Sequence, residues 1–380
     1  MSYGFKKVVI MKFIKFSQIL DFQKKSHIKA GEGLSEGSFS FFTSSPIQSK
    51  YSDSFQFDLP SLIFGTGGGA SVHICEKPFA VSTDCLVAQL KPSAIHKFKI
   101  KFIYYYLSGN IWILEEGFKG AGLRHISKGY INNIDIPELS FEDQKRIVKI
   151  LDQADALRQK RKQAIELLDD YLRSTFLKMF GDPVKNPKKI KKAKIKEMGN
   201  VFTGNTPPRN NPKNYGSFIE WIKSDNINNG NHYLTKATEY LSEVALKKAR
   251  VVPAGSILVT CIAGSLSCIG NVGMTDRKVA FNQQINAIVP NSNVEQNFLY
   301  AQILFNKELF RKASTNSMKG MLNKSKFSEI ELLRPDTELQ KKYSSLFSKT
   351  ECLKQKMLAQ SEELENQFQA LMQKAFKGTL

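Results

Sequence analysis

The stretch SFEDQKRIVKILDQADALRQKRKQAIELLDDYLRSTFLKMF, residues 140–180, runs for 41 residues without a glycine or proline and repeats its apolar positions at helical spacing. Ile147, Ile150, Ala154, Leu157, Ala164, Leu168, Tyr171 and Thr175 follow the alternating three- and four-residue steps of a heptad seam, broken once at Arg161. Leu151, Ile165, Leu172 and Phe176 lie beside the seam and widen the apolar stripe. Pro137 stands just ahead, and Ser140 with Asp143 three residues on reads as a capping box. Apolar periodicity over about 40 residues exceeds an ordinary globular helix and predicts one that pairs with another.

A second such stretch begins at Thr337 and ends near Phe376, with Leu346, Leu353, Met357, Leu364 and Leu371 on its seam and Thr350, Gln360 and Gln367 interrupting it. Pro335 precedes it, and Thr337 with Gln340 reads as a second capping box. Aligning Gln144 with Gln340 gives an offset of 196 positions (340 less 144), which also sets Leu157 on Leu353, Leu168 on Leu364 and Phe180 on Phe376.

Upstream of each helix the match continues more loosely. PSLIF at 60–64 parallels GSILV at 255–259, FAVST at 79–83 parallels VAFNQ at 279–283, and KGAGLR at 119–124 parallels KGMLN at 319–323. Between the halves, GDPVKNPKKIKK at 181–192 combines a glycine stop, two prolines and a lysine run, the composition of a linker. The expected plan is a first domain over 1–139, a helix over 140–181, a linker over 182–194, a second domain over 195–336 and a second helix over 337–380. The expected fold class is α+β: two mixed α/β domains separated by two long antiparallel coiled-coil helices, related by a pseudo-twofold internal repeat.

Composition narrows the partners. Lys plus Arg outnumber Asp plus Glu by 55 to 35, a formal charge of +20 on a chain that is 42% hydrophobic and therefore able to bury cores. Such an excess attracts a polyanion, and no apolar run of about 18 residues or basic amphipathic anchor points to a membrane instead. The start, Met1 to Leu20, alternates lysine with apolar residues and lacks a signal peptide's continuous apolar stretch. Cys75, Cys85, Cys261, Cys268 and Cys352 are scattered with no CxxC pair, which argues against a disulfide framework or zinc site and for a reducing cytoplasm. His27, His73, His96, His125 and His232 group neither with one another nor with a cysteine pair, so no metal site is expected.

The repeat resembles the specificity subunits of type I restriction-modification systems, in which two target recognition domains alternate with two helical spacers. The resemblance is carried by YLRSTFLKMFGD at 171–182 and LMQKAFKGTL at 371–380, and in the second domain by TGNTPP at 203–208, EWIKSDN at 220–226, IGNVG at 269–273 and FNQQ at 281–284. The first domain departs more, with only partial matches at TSS 43–45 and GTGGG 65–69. The resemblance implies a non-catalytic DNA-recognition subunit that reads a bipartite duplex target. Two modification subunits would join it to form an adenine methyltransferase, and two restriction subunits would add an ATP-dependent translocase and nuclease. S-adenosylmethionine, ATP and magnesium would then belong to those partners.

A self-contained methyltransferase or nuclease, or a two-domain RNA-binding scaffold, are the competing readings. Asn205-Thr-Pro-Pro208 is not the Asn/Asp-Pro-Pro-aromatic tetrapeptide of base methyltransferases, and no GxxxxGK[ST] phosphate loop occurs. GTGGGA at 65–70 fits a dinucleotide pattern, but the β-branched stretch after it ends at Pro78, so a turn between strands is expected. The acidic residues of PDTELQK at 335–341 lie at a helix start, where capping and the helix dipole account for them.

No catalytic residue is expected. Phosphate contacts need Lys, Arg or backbone N–H, and base readout needs polar side chains at groove edges. In the first domain the candidates are Thr43, Ser44, Ser45, Lys50, Gly67, Gly68, Lys119 and Arg124. In the second they are Thr206, Arg209, Lys223, Ser224, Asp225, Asn226, Asn282, Gln283, Gln284, Lys319 and Lys324.

Overall fold

The computed structural model describes residues 12–227, 230–314, 320–377 and 380. Both long periodic stretches are single helices, Phe141–Phe180 and Thr337–Phe376. Contacts divide the chain into two units: Met1–Lys162 with Ala359–Leu380, and Gln163–Leu358. Each unit therefore contains half of each long helix rather than leaving the helices as a separate body.

In the first unit Ser61–Gly65 pairs antiparallel with both Ser71–Cys75 and Cys85–Leu90, and Leu20–Phe22 adds to the far edge. A second sheet joins Lys50–Ser52, Phe39–Phe42 and Phe79–Val81, the last two parallel. The other unit repeats this order. Gly199–Thr203, Ile285–Pro290, Ile257–Thr260 and Val272–Met274 form one sheet, and Tyr240–Leu241, Tyr215–Ile222, Val279–Phe281 and Val251–Val252 the other. Here too one pair in the second sheet, Tyr215–Ile222 with Val279–Phe281, is parallel.

Register makes the duplication quantitative. Leu62 faces Ala88 as Ile257 faces Ile288, and Phe42 faces Val81 as Ile222 faces Phe281. The strand matches PSLIF/GSILV and FAVST/VAFNQ hold. The match of Lys119 to Lys319 does not, because His125 bridges to Gly67 while Met321 pairs with Ile262. Met321 is thus the counterpart of His125, and Gly320 of Arg124. Unequal loop lengths and a shared KG pair shift the alignment by sequence alone.

The same device starts both helices. Gln144 is fully buried; its amide donates to the carbonyls of Lys97 (2.9 Å) and Leu139 (3.0 Å) and accepts from the Lys99 N–H at 2.9 Å. Gln340, also buried, donates to the Pro335 carbonyl at 3.0 Å and accepts from the Glu295 N–H at 3.0 Å. Each glutamine thereby ties the helix entry to the start of the preceding domain helix, Ile100–Gly109 or Gln296–Leu304. Ser140 caps its helix by accepting from the Asp143 N–H at 3.1 Å. The second helix corrects the expected box: Asp336, not Thr337, accepts from the Leu339 N–H at 2.7 Å. Gln340 cannot serve as the reciprocal residue because its side chain is spent in the clamp.

The expected seam holds at Ile147 and Met357 but gives way elsewhere to the flanking row. Ile147, Leu151, Leu172, Phe176 and Phe180 are buried, whereas Leu157, Tyr171 and the equivalent of Leu157, Leu353, are exposed. A straight helix of 3.6 residues per turn drifts off a strict seven-residue repeat, and the flanking row of larger side chains takes the core. In the second unit the helices run antiparallel, with Lys354 Nζ 2.8 Å from both carboxylate oxygens of Asp169 and Tyr343 donating to the Leu172 carbonyl. In the first unit Arg158 donates to Glu365 and lies over the Phe368 ring, 4.1 Å from its centroid. Phe376 packs on Phe102 in one unit as Phe180 packs on Phe298 in the other. Among the described residues no helix is long and apolar enough to cross a membrane.

The linker is ordered. Gly181 takes the left-handed φ of +77° that ends the first helix, and Asp182 accepts from the Val184 and Lys185 N–H groups. Lys192–Lys194 is already a strand of the second unit, paired with Glu331–Leu333.

Candidate nucleic-acid interface

In both units the parallel strand pair ends in a polar step. In the first, Thr43, Ser44 and Ser45 leave Phe39–Phe42, while Ser82, Thr83 and Asp84 leave Phe79–Val81. In the second, Lys223, Ser224 and Asp225 leave Tyr215–Ile222, while Asn282, Gln283 and Gln284 leave Val279–Phe281. The backbone bonds that anchor the two steps correspond. Ser82 N–H donates to the Phe42 carbonyl as Asn282 N–H donates to Ile222, and Thr66 N–H donates to Asp84 as Cys261 N–H donates to Gln284. Ser44 and Ser224 then play the same part. The Ser44 hydroxyl donates to the Asp84 carbonyl at 3.1 Å, and that of Ser224 to Gln284 Oε1 at 3.3 Å.

Around this step the first unit gathers Gly67, Gly68 and the loop of Lys119 and Arg124. The glycine run is the turn of the hairpin Ser61–Gly65/Ser71–Cys75, as expected, and Gly68 adopts φ +83°. Gly67 bridges to His125, whose own backbone pairs with Lys119 at 3.0 Å in both directions. Lys119 is exposed, while the Arg124 guanidinium partly closes its own loop through the Phe118 carbonyl. Lys50 stands apart, its ammonium donating to the Ala30 carbonyl at 2.6 Å. Burial lowers the His73 pKa, and its Nε2 lies 2.9 Å from the Ser45 carbonyl, fixing the Thr43–Ser45 loop.

The second unit brings Thr206, Arg209, Lys223, Ser224, Asn282, Gln283 and Gln284 together. Thr206 donates to Gln283, and Gln284 Oε1 accepts from both Ser224 and the Asn282 amide, the latter at 2.9 Å. Arg209 lies 5.3 Å from the ring centroids of both Tyr215 and Trp221, and Lys223 5.3 Å from that of Trp221. Asp225 is exposed. Asn226 is buried and spends its amide on Thr235, the Lys236 carbonyl and the Lys223 N–H, so it shapes the turn. Lys324 is exposed at the start of the short helix Lys324–Glu329, and its repeat counterpart is Lys128. Lys319 lies outside the described residues.

Sequence reasoning missed Asp84, Thr66 and His125 in the first unit and Glu239 in the second. Asp84 was within reach, since it comes just after the matched FAVST strand as Gln284 comes just after VAFNQ. Glu239 carries no local signal. It comes to Arg209 and Lys223 only because the Trp221 N–H bonds to its carbonyl at 3.0 Å. Lys223, and beyond it Arg209, hold the Glu239 carboxyl below the usual carboxylate range.

The type I restriction modification DNA specificity domain matches this chain twice, over residues 9–167 and 187–365. The HindI specificity subunit of Haemophilus influenzae is 34% identical over 165 residues, 41% of this chain and 35% of that protein. The MjaIX specificity subunit of Methanocaldococcus jannaschii is 30% identical over 188 residues, 48% of this chain and 42% of that protein. The matched stretches thus span less than half the length of these two relatives. The fold of a type I restriction-modification S subunit from M. genitalium superposes with a TM-score of 0.62 over 98% of both chains, at 16% identity. With the domain matched in both halves, over most of its length, the chain belongs to the type I restriction modification DNA specificity family.

Proposed function

We propose that this chain is the non-catalytic specificity subunit of a type I restriction-modification complex, reading a two-part duplex target with one polar step per domain. The observation that carries the reading is the pair of equivalent steps, Thr43–Ser45 with Asp84 and Lys223–Asp225 with Gln284, built on one backbone and furnished with different side chains. A shared scaffold with divergent polar tips suits two independent half-sites. The readers are Thr43, Ser44, Ser45, Thr206, Arg209, Lys223, Ser224, Asp225, Gln283 and Gln284. The phosphate anchors are Lys119, Arg124, Lys319, Lys324 and the turn amides of Gly67 and Gly68. Lys50, Asn226 and Asn282 support them from behind.

Two modification and two restriction subunits complete the assembly in the cytoplasm and supply S-adenosylmethionine, ATP and magnesium sites. The duplicated exposure of Leu157 (56%) and Leu353 (48%) at repeat-equivalent positions supports two copies of one partner. Replacing either with lysine should change stability by no more than about 0.5 kcal/mol and remove one bound modification subunit; replacing both should remove two.

The deciding experiment is methylome mapping with the chain alone, the modification subunit alone, and both together. Adenine methylation at a bipartite motif should require both. Methyl transfer by the purified chain alone, or a motif unchanged when residues ahead of Pro137 are exchanged for another member's, would overturn the reading.

A further inference from the structure

Behind the second unit's step an acidic residue, Glu239, faces two of the step's cations. Glu239 sits beside Trp221, held by the backbone bond from Trp221 and by the pairing of Tyr240 with Glu220 in the next position. Its carboxylate takes one oxygen to Lys223 and the other to Arg209, the latter at 3.1 Å. Both cations also rest against aromatic rings, Trp221 for both and Tyr215 for Arg209. The arrangement is a closed, half-exposed network: two of the domain's most suitable DNA-contacting cations share one carboxylate, which offsets one of their two charges, next to the edge strand Tyr240–Leu241.

We propose that Glu239 is a specificity-determining residue that withholds Arg209 and Lys223 from indiscriminate phosphate contact. The inference rests on the reading that this surface meets DNA. A phosphate approaching either cation must displace Glu239 and is repelled by it, so a duplex of arbitrary sequence gains little there. Only a site whose base edges engage the polar step as well offsets the exchange. The network therefore lowers non-specific affinity more than specific affinity, which is how discrimination grows without a new favourable contact.

The test measures binding of the full chain to a mixed-sequence 30-base-pair duplex, by fluorescence anisotropy across a series of salt concentrations. Glu239→Gln should tighten binding about five- to tenfold at 0.1 M salt and steepen the log–log salt slope by between about 1 and 2, since each added phosphate contact contributes about 0.9. Glu239→Asp, which keeps the charge, should stay near the parent. In an Arg209→Gln background, Glu239→Gln frees only Lys223 and should steepen the slope by about 0.9; this pair keeps the test valid should the single variant fold poorly. A slope unchanged by Glu239→Gln, while Arg209→Ala flattens it, would overturn the proposal and leave the DNA surface standing. Slopes indifferent to Glu239, Arg209 and Lys223 alike would overturn both.

Discussion

The two polar steps share the backbone bonds that anchor them, yet one ends in Asp84 beside three hydroxyl residues and the other in Gln284 beside Lys223. In the first, serine binds a main-chain carbonyl, leaving the Asp84 carboxylate exposed; in the second, serine binds the side-chain amide itself. The difference teaches that the duplication preserved what holds each tip in place and left free what the tip displays. A similar substitution occurs behind the steps. Lys101 and Asp152 form an ion pair where Asn297 and Ser348, their repeat equivalents, form an amide–hydroxyl bond.

The comparison can be broken at its strongest point first. Gln144→Ala and Gln340→Ala should each cost about 2–3 kcal/mol, because each strands buried main-chain groups. Denaturant unfolding of the two variants should agree; a large effect at one and none at the other would mean the clamps are not equivalent. Next come the tips. Asp84→Asn should tighten binding to duplex DNA and Gln284→Glu weaken it, each by about 1.4 kcal/mol, a factor of about ten, as a charge beside phosphate is removed or added. Anisotropy titrations moving in the same direction for both would refute the equivalence of the steps. Gly68→Ala should cost about 1 kcal/mol for its left-handed backbone. Ala263→Gly, at the matching place where the chain is a strand paired with Gly320–Met321, should cost roughly 0.5 kcal/mol. An equally small effect, roughly 0.5 kcal/mol in thermal stability, belongs to Ser44→Ala, whose bond is partly solvated.

Much of the architecture was legible in the chain because helical period and repeat offset are carried by many residues at once. The offset of 196 that aligned Gln144 with Gln340 also relates the two buried clamps, and the glycine run at 65–69 was readable as a turn from the β-branched stretch that ends at Pro78. The buried row was not legible at Leu157 and Leu353, since leucine on a helix surface has the same sequence signature whichever neighbour it lacks. Nor did the composition of the second cap distinguish Asp336 from Thr337, both good capping residues one position apart. At the interface, charge and polarity pointed to Arg209 and Lys223, but their partner Glu239 lies 30 residues from the first and 16 from the second. Such a meeting is decided by strand pairing rather than by local pattern.

The division of the helices between units has a consequence for the order in which the protein is made. The second unit is one uninterrupted segment, Gln163–Leu358, and can close as soon as that segment has left the ribosome. The first unit, although synthesised earlier, buries Phe368, Met372 and Ala375 in its core beside Phe102 and Leu107. At translation rates of about 5–20 residues per second, its core must wait, incompletely covered, until the closing helix emerges. The half of the molecule that is born first is therefore the half whose core is completed last.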